Sequence, residues 1–257
     1  MNNRTESAPV SWNYSEHAAH YDKRADYSEE GVRQLLSAMH CNAGDTVADI
    51  GAGTAKLTKL LVRYGLRVLA VEPNAAMREF GIRNTAGADV QWSVGTGEST
   101  GVADSSVSAA FFGSSFNVVE PAAALAEIRR IVSPFGWFAC MWNHRELADP
   151  TQTSIEAIIR EQIPGYDYGS RRADPRSTIE ASEYFHPPQM METSFAVPMS
   201  REAIVEAWRS HATLRRQAES ADRFEAIVLS IEELVSRLPE PISVPYVTRM
   251  YFAQLKR

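Results

Sequence analysis

Val47-Ala48-Asp49-Ile50-Gly51-Ala52-Gly53-Thr54 is the stretch on which the reading of this chain turns. Val47 to Ile50 has the character of a short buried strand, and it runs directly into a glycine pair. Gly51 and Gly53 allow a tight turn and leave no Cβ between the backbone and an approaching ligand. Beyond them Leu57, Leu60, Leu61 and Tyr64 recur at helical spacing, and Gly65 falls where a left-handed helix cap is expected. The segment Arg67 to Val71 then reads as a parallel strand covered on both faces, delivering Glu72 at its carboxyl end. In open α/β sheets that end is where ligands bind.

Strand, glycine turn, helix, strand and terminal acid together indicate a nucleotide-type cofactor site, and the chemistry of the loop separates the candidates. A dinucleotide fingerprint requires a third glycine three residues after the second, where this chain has Lys56, and it does not use an acid such as Asp49 ahead of the first glycine. A phosphate-binding Gly-Lys-Ser/Thr loop is absent from this segment. On these residues the sequence resembles class I S-adenosylmethionine-dependent methyltransferases. Asp49-Ile50-Gly51-Ala52-Gly53-Thr54-Ala55 is similar to the family's first motif, and Glu72, followed by Pro73, to the acid that binds both ribose hydroxyls. Gly95-Thr96-Gly97-Glu98 resembles the segment lining the adenine, and Arg130 to Gly136 the turn ahead of the fifth strand.

The resemblance implies a Rossmann-like, doubly wound α/β fold with a seven-stranded sheet, an antiparallel last strand and helical cap and roof insertions. It also implies S-adenosylmethionine as cofactor, S-adenosylhomocysteine as product, and a cofactor set of Tyr21, Arg24, Asp49, Gly51, Ala52, Gly53, Glu72, Pro73, Gly97, Glu98 and Ser114. Two departures matter. Ala55 replaces a usual glycine, a change without consequence unless that residue requires positive φ. In a small-molecule subgroup resembling trans-aconitate methyltransferase, the fourth strand leads into Gln-Ala-Phe-His-Trp, whereas this chain has Ser114-Ser115-Phe116-Asn117-Val118, so that subgroup's substrate does not carry over.

Composition points the same way. The chain has 257 residues, 44% hydrophobic and 23% charged, enough for one α/β domain with an added helical cap. Its net charge of -6, without a Lys/Arg run, argues against nucleic acid as a partner. Cys41 and Cys140 form neither a disulfide framework nor a metal-ligand pattern, and no metal is expected. The polar start, Met1 to Pro9, and the lack of a run of about 18 apolar residues lead to the expectation of a cytoplasmic protein, monomer or homodimer, away from membranes.

Three parts are expected: an N-terminal cap (1–43), a cofactor-binding core (44–144) carrying strands around Val47, Val68, Val90, Ala109 and Phe138, and a roof with the final strands (145–257). In the last part, periodicity predicts helices at Ser154 to Gln162, Arg201 to Arg216 and Ala221 to Leu238, and strands at Thr193 to Val197 and Val247 to Leu255. Substrate choice is expected there. Trp12, Tyr14, Asn117, His144 and His186 are the substrate-side candidates, with His144 and Asn117 the candidates for a catalytic part. A neutral imidazole can take a proton from a hydroxyl or amine; an exposed loop histidine is the plainer reading of His144. Arg171, Arg172 and Arg176 read as a solvated cluster, or as bidentate donors to a substrate carboxylate.

The expected activity is methyl transfer to a small metabolite, oxygen acceptors ahead of nitrogen or carbon. The sulfonium is already activated, so proximity and water exclusion carry most of the catalysis. Two alternatives are a fold relative that uses the bound cofactor for a non-methylating reaction, and a non-catalytic cofactor-binding subunit.

Overall fold

The computed structural model describes residues 25–168 and 172–256. The candidates Trp12, Tyr14, Tyr21, Arg24 and Arg171 lie outside the described residues.

β1 (Thr46–Ile50) is the central strand, paired in parallel with β2 (Arg67–Val71) on one side and β4 (Val107–Gly113) on the other. β3 (Val90–Ser93) extends the β2 side and β5 (Val132–Arg145) the β4 side, both in parallel. β7 (Ile242–Gln254) then runs antiparallel between β5 and β6 (Gln189–Met199), giving the order β3-β2-β1-β4-β5-β7-β6. The expected seven-stranded sheet with an antiparallel last strand is therefore present. The order reverses between β1 and β4, and in such sheets the crevice at the carboxyl ends of those two strands is the binding position.

Alternation along the strands divides the core between two faces. Val47, Ala109, Phe111 and Ala139 meet α1 (Glu29–Ala38) and α2 (Lys56–Arg63) through Val32, Leu35, Leu57, Leu60 and Leu61. Ala48, Ile50, Ala110, Phe112 and Phe138 meet α4 (Pro121–Ile131) through Ala124, Leu125, Ile128 and Ile131. Each buried leucine of α2 contributes roughly 2 kcal/mol by leaving water. The helix stops as its sequence predicts: Gly65, at φ +82°, donates to the Val62 carbonyl while Leu66 donates to that of Leu61, a paired closure that only a left-handed residue permits cheaply. α3 (Ala75–Asn84) lies against β3, with Asn74 capping its first turn and Gly81 passing over the Trp92 ring.

β5 starts as soon as α4 ends. Its pairing with β4 steps from Val107–Val132 to Ala109–Trp137, so residues 133–136 loop out, with Phe135 at φ +63°.

Beyond β5 come α5 (Pro150–Gln162), α6 (Arg176–Ala181), β6, α7 (Arg201–Arg209), α8 (Ala212–Gln217), α9 (Ala221–Ser236) and β7. α5 begins four residues before the predicted Ser154, because Asp149 accepts from the Gln152 N–H as an N-cap and Pro150 suits the first helical position. The single helix expected over 201–216 is two helices. Ser210 turns its hydroxyl back onto the Ala207 carbonyl, and His211 Nδ1 caps a new helix by accepting from the Leu214 N–H. Ile155, Ile159, Trp208, Leu214, Phe224, Ile227 and Ile231 join these helices into a third apolar cluster over the end of the sheet.

Candidate active site

The carboxyl ends of β1, β2, β4 and β5 open into one cavity of about 690 Å³, bordered above by residues of the roof helices. Its size is in the ordinary range for a small-molecule site. Asp49, Gly51, Ala52, Gly53, Glu72, Pro73, Gly97, Glu98, Ser114, Asn117 and His144 all line it. Residues chosen from separate stretches of sequence are thus brought together by the parallel sheet.

The glycine loop is built for close approach. Gly51 has φ +69°, and a Cβ placed on it would lie 2.6 Å from the Ser115 Cβ, so an L side chain is excluded by both backbone and neighbour. Ser115 Oγ in turn donates to the Ile50 carbonyl at 2.6 Å and fixes that approach. Ala55, the departure from the glycine pattern, does occupy the left-handed region, at φ 73° and ψ 27°. Its methyl is wholly buried, and α2 grows directly from its carbonyl through the Lys59 N–H. A non-glycine residue in this conformation costs about 1–2 kcal/mol, held by the surrounding hydrogen bonds.

Two carboxylates stand at the base of the cavity. Asp49 is 1% exposed; Thr58, fully buried on α2, donates to its Oδ2 at 2.6 Å, while Oδ1 is a buried acceptor with no hydrogen-bond partner. Burial pushes the Asp49 carboxyl up to about 7, opposed by the Thr58 hydrogen bond and reinforced by the nearby Glu72 charge. Glu72 accepts from the Gly53 N–H at 2.9 Å and the Asn74 N–H at 2.8 Å, one on each oxygen. Burial raises its pKa against those two donors. Each oxygen keeps a lone pair, so the group can still accept from a vicinal diol. Glu98 closes the same end: burial opposes its ionisation, but the Glu120 N–H and the Thr96 side chain hold it below the usual range.

Around the middle of the cavity the side chains are held by one another. Tyr27 Oη and Ser114 Oγ are 2.8 Å apart, with Ser114 at φ +59°. Trp142 Nε1 donates to Asn117 Oδ1 at 2.9 Å, which leaves the Asn117 amide N–H groups to point elsewhere. His144 is a residue of β5 opposite Val247 and is 9% exposed, not a loop histidine. Beside it Asn143 accepts from Thr248 Oγ1 at 2.6 Å and donates to the Asp26 carbonyl at 2.8 Å, tying the segment before α1 to the sheet.

His186 is a correction. Its backbone donates to the Gln254 carbonyl, and Gln254 pairs with Trp137 at the start of β5, so the exposed imidazole lies at the edge of the sheet opposite the cavity. Of the arginine candidates, Arg172 lines the cavity, whereas Arg176 is bound to Asp174 and does not. Residues that sequence reasoning did not place here are Tyr27, Lys56, Arg145, Tyr168, His211, Arg216 and Tyr246. They come from the segment before α1, the α2 start, the end of β5, the interior of β7 and two roof segments, with no shared motif to announce them.

The orphaned Asp49 oxygen and the acceptors on Glu72 fit a ligand bearing a cationic amine and a ribose diol. Residues 48–140 match the model of a methyltransferase domain. An uncharacterized methyltransferase of Mycobacterium tuberculosis is 28% identical over 231 residues, covering 88% of each chain. A ubiquinone/menaquinone biosynthesis C-methyltransferase of Rubrivivax gelatinosus is 31% identical over 134 residues, 50% of this chain and 53% of the other. Among solved structures, a provisionally assigned type II methyltransferase from Anaeromyxobacter dehalogenans superposes with a TM-score of 0.63 at 20% identity, covering 91% of this chain and 99% of that one. That last likeness is one of fold. The matched domain, the relatives and the fold together support a class I S-adenosylmethionine-dependent methyltransferase.

Among the described residues no helix is long and apolar enough to cross a membrane, and no group of three or more His, Cys, Asp or Glu residues is placed to hold a metal ion.

Proposed function

We propose that this enzyme methylates a small molecule, with a hydroxyl oxygen the favoured acceptor. The observation that carries the reading is the single cavity that runs from the glycine loop to a roof made by the same chain. A cavity of about 690 Å³ accommodates a cofactor together with a metabolite-sized acceptor.

In this reading Glu72 accepts the ribose hydroxyls, Asp49 faces the amino-acid end, and Gly51 to Gly53 present bare backbone to the cofactor. Gly97 and Glu98 border the adenine, and Pro73 and Ser114 complete the wall. The cofactor supplies an activated methyl on sulfur, so the protein's task is to align the acceptor and exclude water. The Asn117 amide, fixed by Trp142, orients the acceptor. His144 on β5 takes the proton that a hydroxyl acceptor must lose. A monomer or homodimer in the cytoplasm belongs to the same proposal.

Calorimetric titration with S-adenosylmethionine and S-adenosylhomocysteine tests it. The expected result is micromolar binding, about -8 kcal/mol, lost by at least tenfold in Glu72→Ala. An acceptor screen read by mass should then show a one-methyl gain. Binding without any methylated product, across hydroxyl, amine and carbon acceptors, would refute the methylating reading; absence of binding would refute the cofactor site itself.

A further inference from the structure

The cavity is electrically divided. Its acids, Asp49, Glu72 and Glu98, all border the glycine-loop end, whereas the roof end carries Arg145, Arg172 and Arg216. None of these three arginines has a carboxylate oxygen within 4.0 Å among the described residues, although Arg130, Arg160, Arg176, Arg209 and Arg249 each do. The two inner guanidinium groups are instead laid on rings. Arg145 sits 4.3 Å over Trp208, and Arg172 sits 4.5 Å over Tyr168 while its Nη2 donates to the Arg145 carbonyl at 2.9 Å. Stacking fixes the plane of a guanidinium and leaves its remaining N–H groups available for an oxyanion. Burial lowers the pKa of Arg172, a sign that its charge is held at some cost. Glu156 and Glu146 act on the Arg172 charge without pairing with it, and a chain with a net charge of -6 has carboxylates to spare for neutralising these groups. Leaving them unpaired here is the arrangement of a site that receives its anion from outside.

Resting on the methyltransferase reading, we infer that the acceptor carries an anionic oxyanion group, a carboxylate or a phosphate, which Arg145, Arg172 and Arg216 hold at the roof end of the cavity. This polarity orients the ternary complex. The cationic donor sits among acids, the acceptor's anionic group is drawn to the arginines, and the atom to be methylated lies between them, near Asn117 and His144. An uncharged acceptor of the same size would strand three guanidinium groups, so the pocket selects by charge as well as shape.

Titration of the full chain with inorganic pyrophosphate and with succinate, each with and without saturating S-adenosylhomocysteine and against sodium chloride of matched ionic strength, tests the inference. The expected result is saturable one-to-one binding of at least one of the two. Arg216→Ala, on an exposed position of α8, and Arg172→Gln should each weaken it by about tenfold or more, with S-adenosylhomocysteine affinity within twofold of the parent. Preference for pyrophosphate assigns a phosphate-bearing acceptor and preference for succinate a carboxylate-bearing one. Binding of neither anion by a chain that does bind S-adenosylhomocysteine, or equal binding by parent and variants, would overturn the inference and leave the methyltransferase reading standing. Loss of S-adenosylhomocysteine binding alone would strike that reading instead.

Discussion

Replacing Asp49 by Asn should change how stability depends on pH, with a sign opposite to that of most carboxylates. The folded-state value of about 7 lies above the ordinary 3.8 because the group is buried, and that difference corresponds to about 4 kcal/mol. Because the folded state holds the proton more tightly than the unfolded chain, the contribution is complete below pH 3.8. It is lost as pH rises toward 7, and above that the buried carboxylate is charged and its full cost remains. Asp49→Asn has no proton to lose. It retains an acceptor for Thr58 and places an N–H where Oδ1 now lacks a partner, an offset of about 1–3 kcal/mol that does not vary with pH. Urea unfolding of both proteins between pH 4.5 and 8 separates the terms. The variant should gain on the wild type by about 3–4 kcal/mol across that range, and the slope is the diagnostic quantity. Parallel curves would refute the assignment of a retained proton to Asp49. A cationic ligand at this carboxylate would favour its ionisation, so S-adenosylmethionine binding near pH 6.5 should release a proton, detectable as a calorimetric enthalpy that varies with the buffer's ionisation enthalpy.

Glu127 should behave in the reverse sense: the Arg130 hydrogen bond and the Thr100 donors hold its carboxyl down to about 2. Glu127→Gln should therefore cost about 2 kcal/mol near neutral pH, a gap that closes as pH falls from 4.5 toward 2; a gap that persists in acid would count against this. Gly51→Ala combines positive φ with a Cβ 2.6 Å from the Ser115 Cβ, and an unfolding free energy lowered by about 2–4 kcal/mol is expected. Thr248→Val keeps the volume of a fully buried side chain but strands the Ser28 N–H and the Asn143 amide oxygen, for a loss of about 2–3 kcal/mol in the same assay. His144→Ala should lower kcat on a hydroxyl acceptor by about 100-fold or more while leaving S-adenosylhomocysteine affinity unchanged; a fall in affinity instead would make His144 part of the cofactor site.

Legible in the residues alone is the part of the protein built from local, repeating requirements. The period of Leu57, Leu60 and Leu61, the glycine at 65, and the buried run ending in Asp49 are read within a few residues of one another, and the parallel sheet follows from their alternation. The glycine loop and Glu72 were legible because a strand's carboxyl end has one place to go in such a sheet. Helix boundaries that depend on a single side-chain hydrogen bond were not: His211 splits one periodic stretch in two by accepting from Leu214, and Asp149 starts α5 early. The identity of Ala55 does not reveal its left-handed conformation, φ 73°, which the turn into α2 imposes. The tertiary structure alone decided where the isolated histidines and arginines stand. His186 and His144 carry similar aromatic surroundings in the sequence, yet the antiparallel register of β7 against β5 puts one at the far edge of the sheet and the other on the cavity wall. Arg145, Arg172 and Arg216 come from a strand end, a loop and a short helix, and no local rule links them. Their shared position is fixed by how the roof packs over the sheet, a long-range consequence of burying Trp208, Leu214 and their neighbours together.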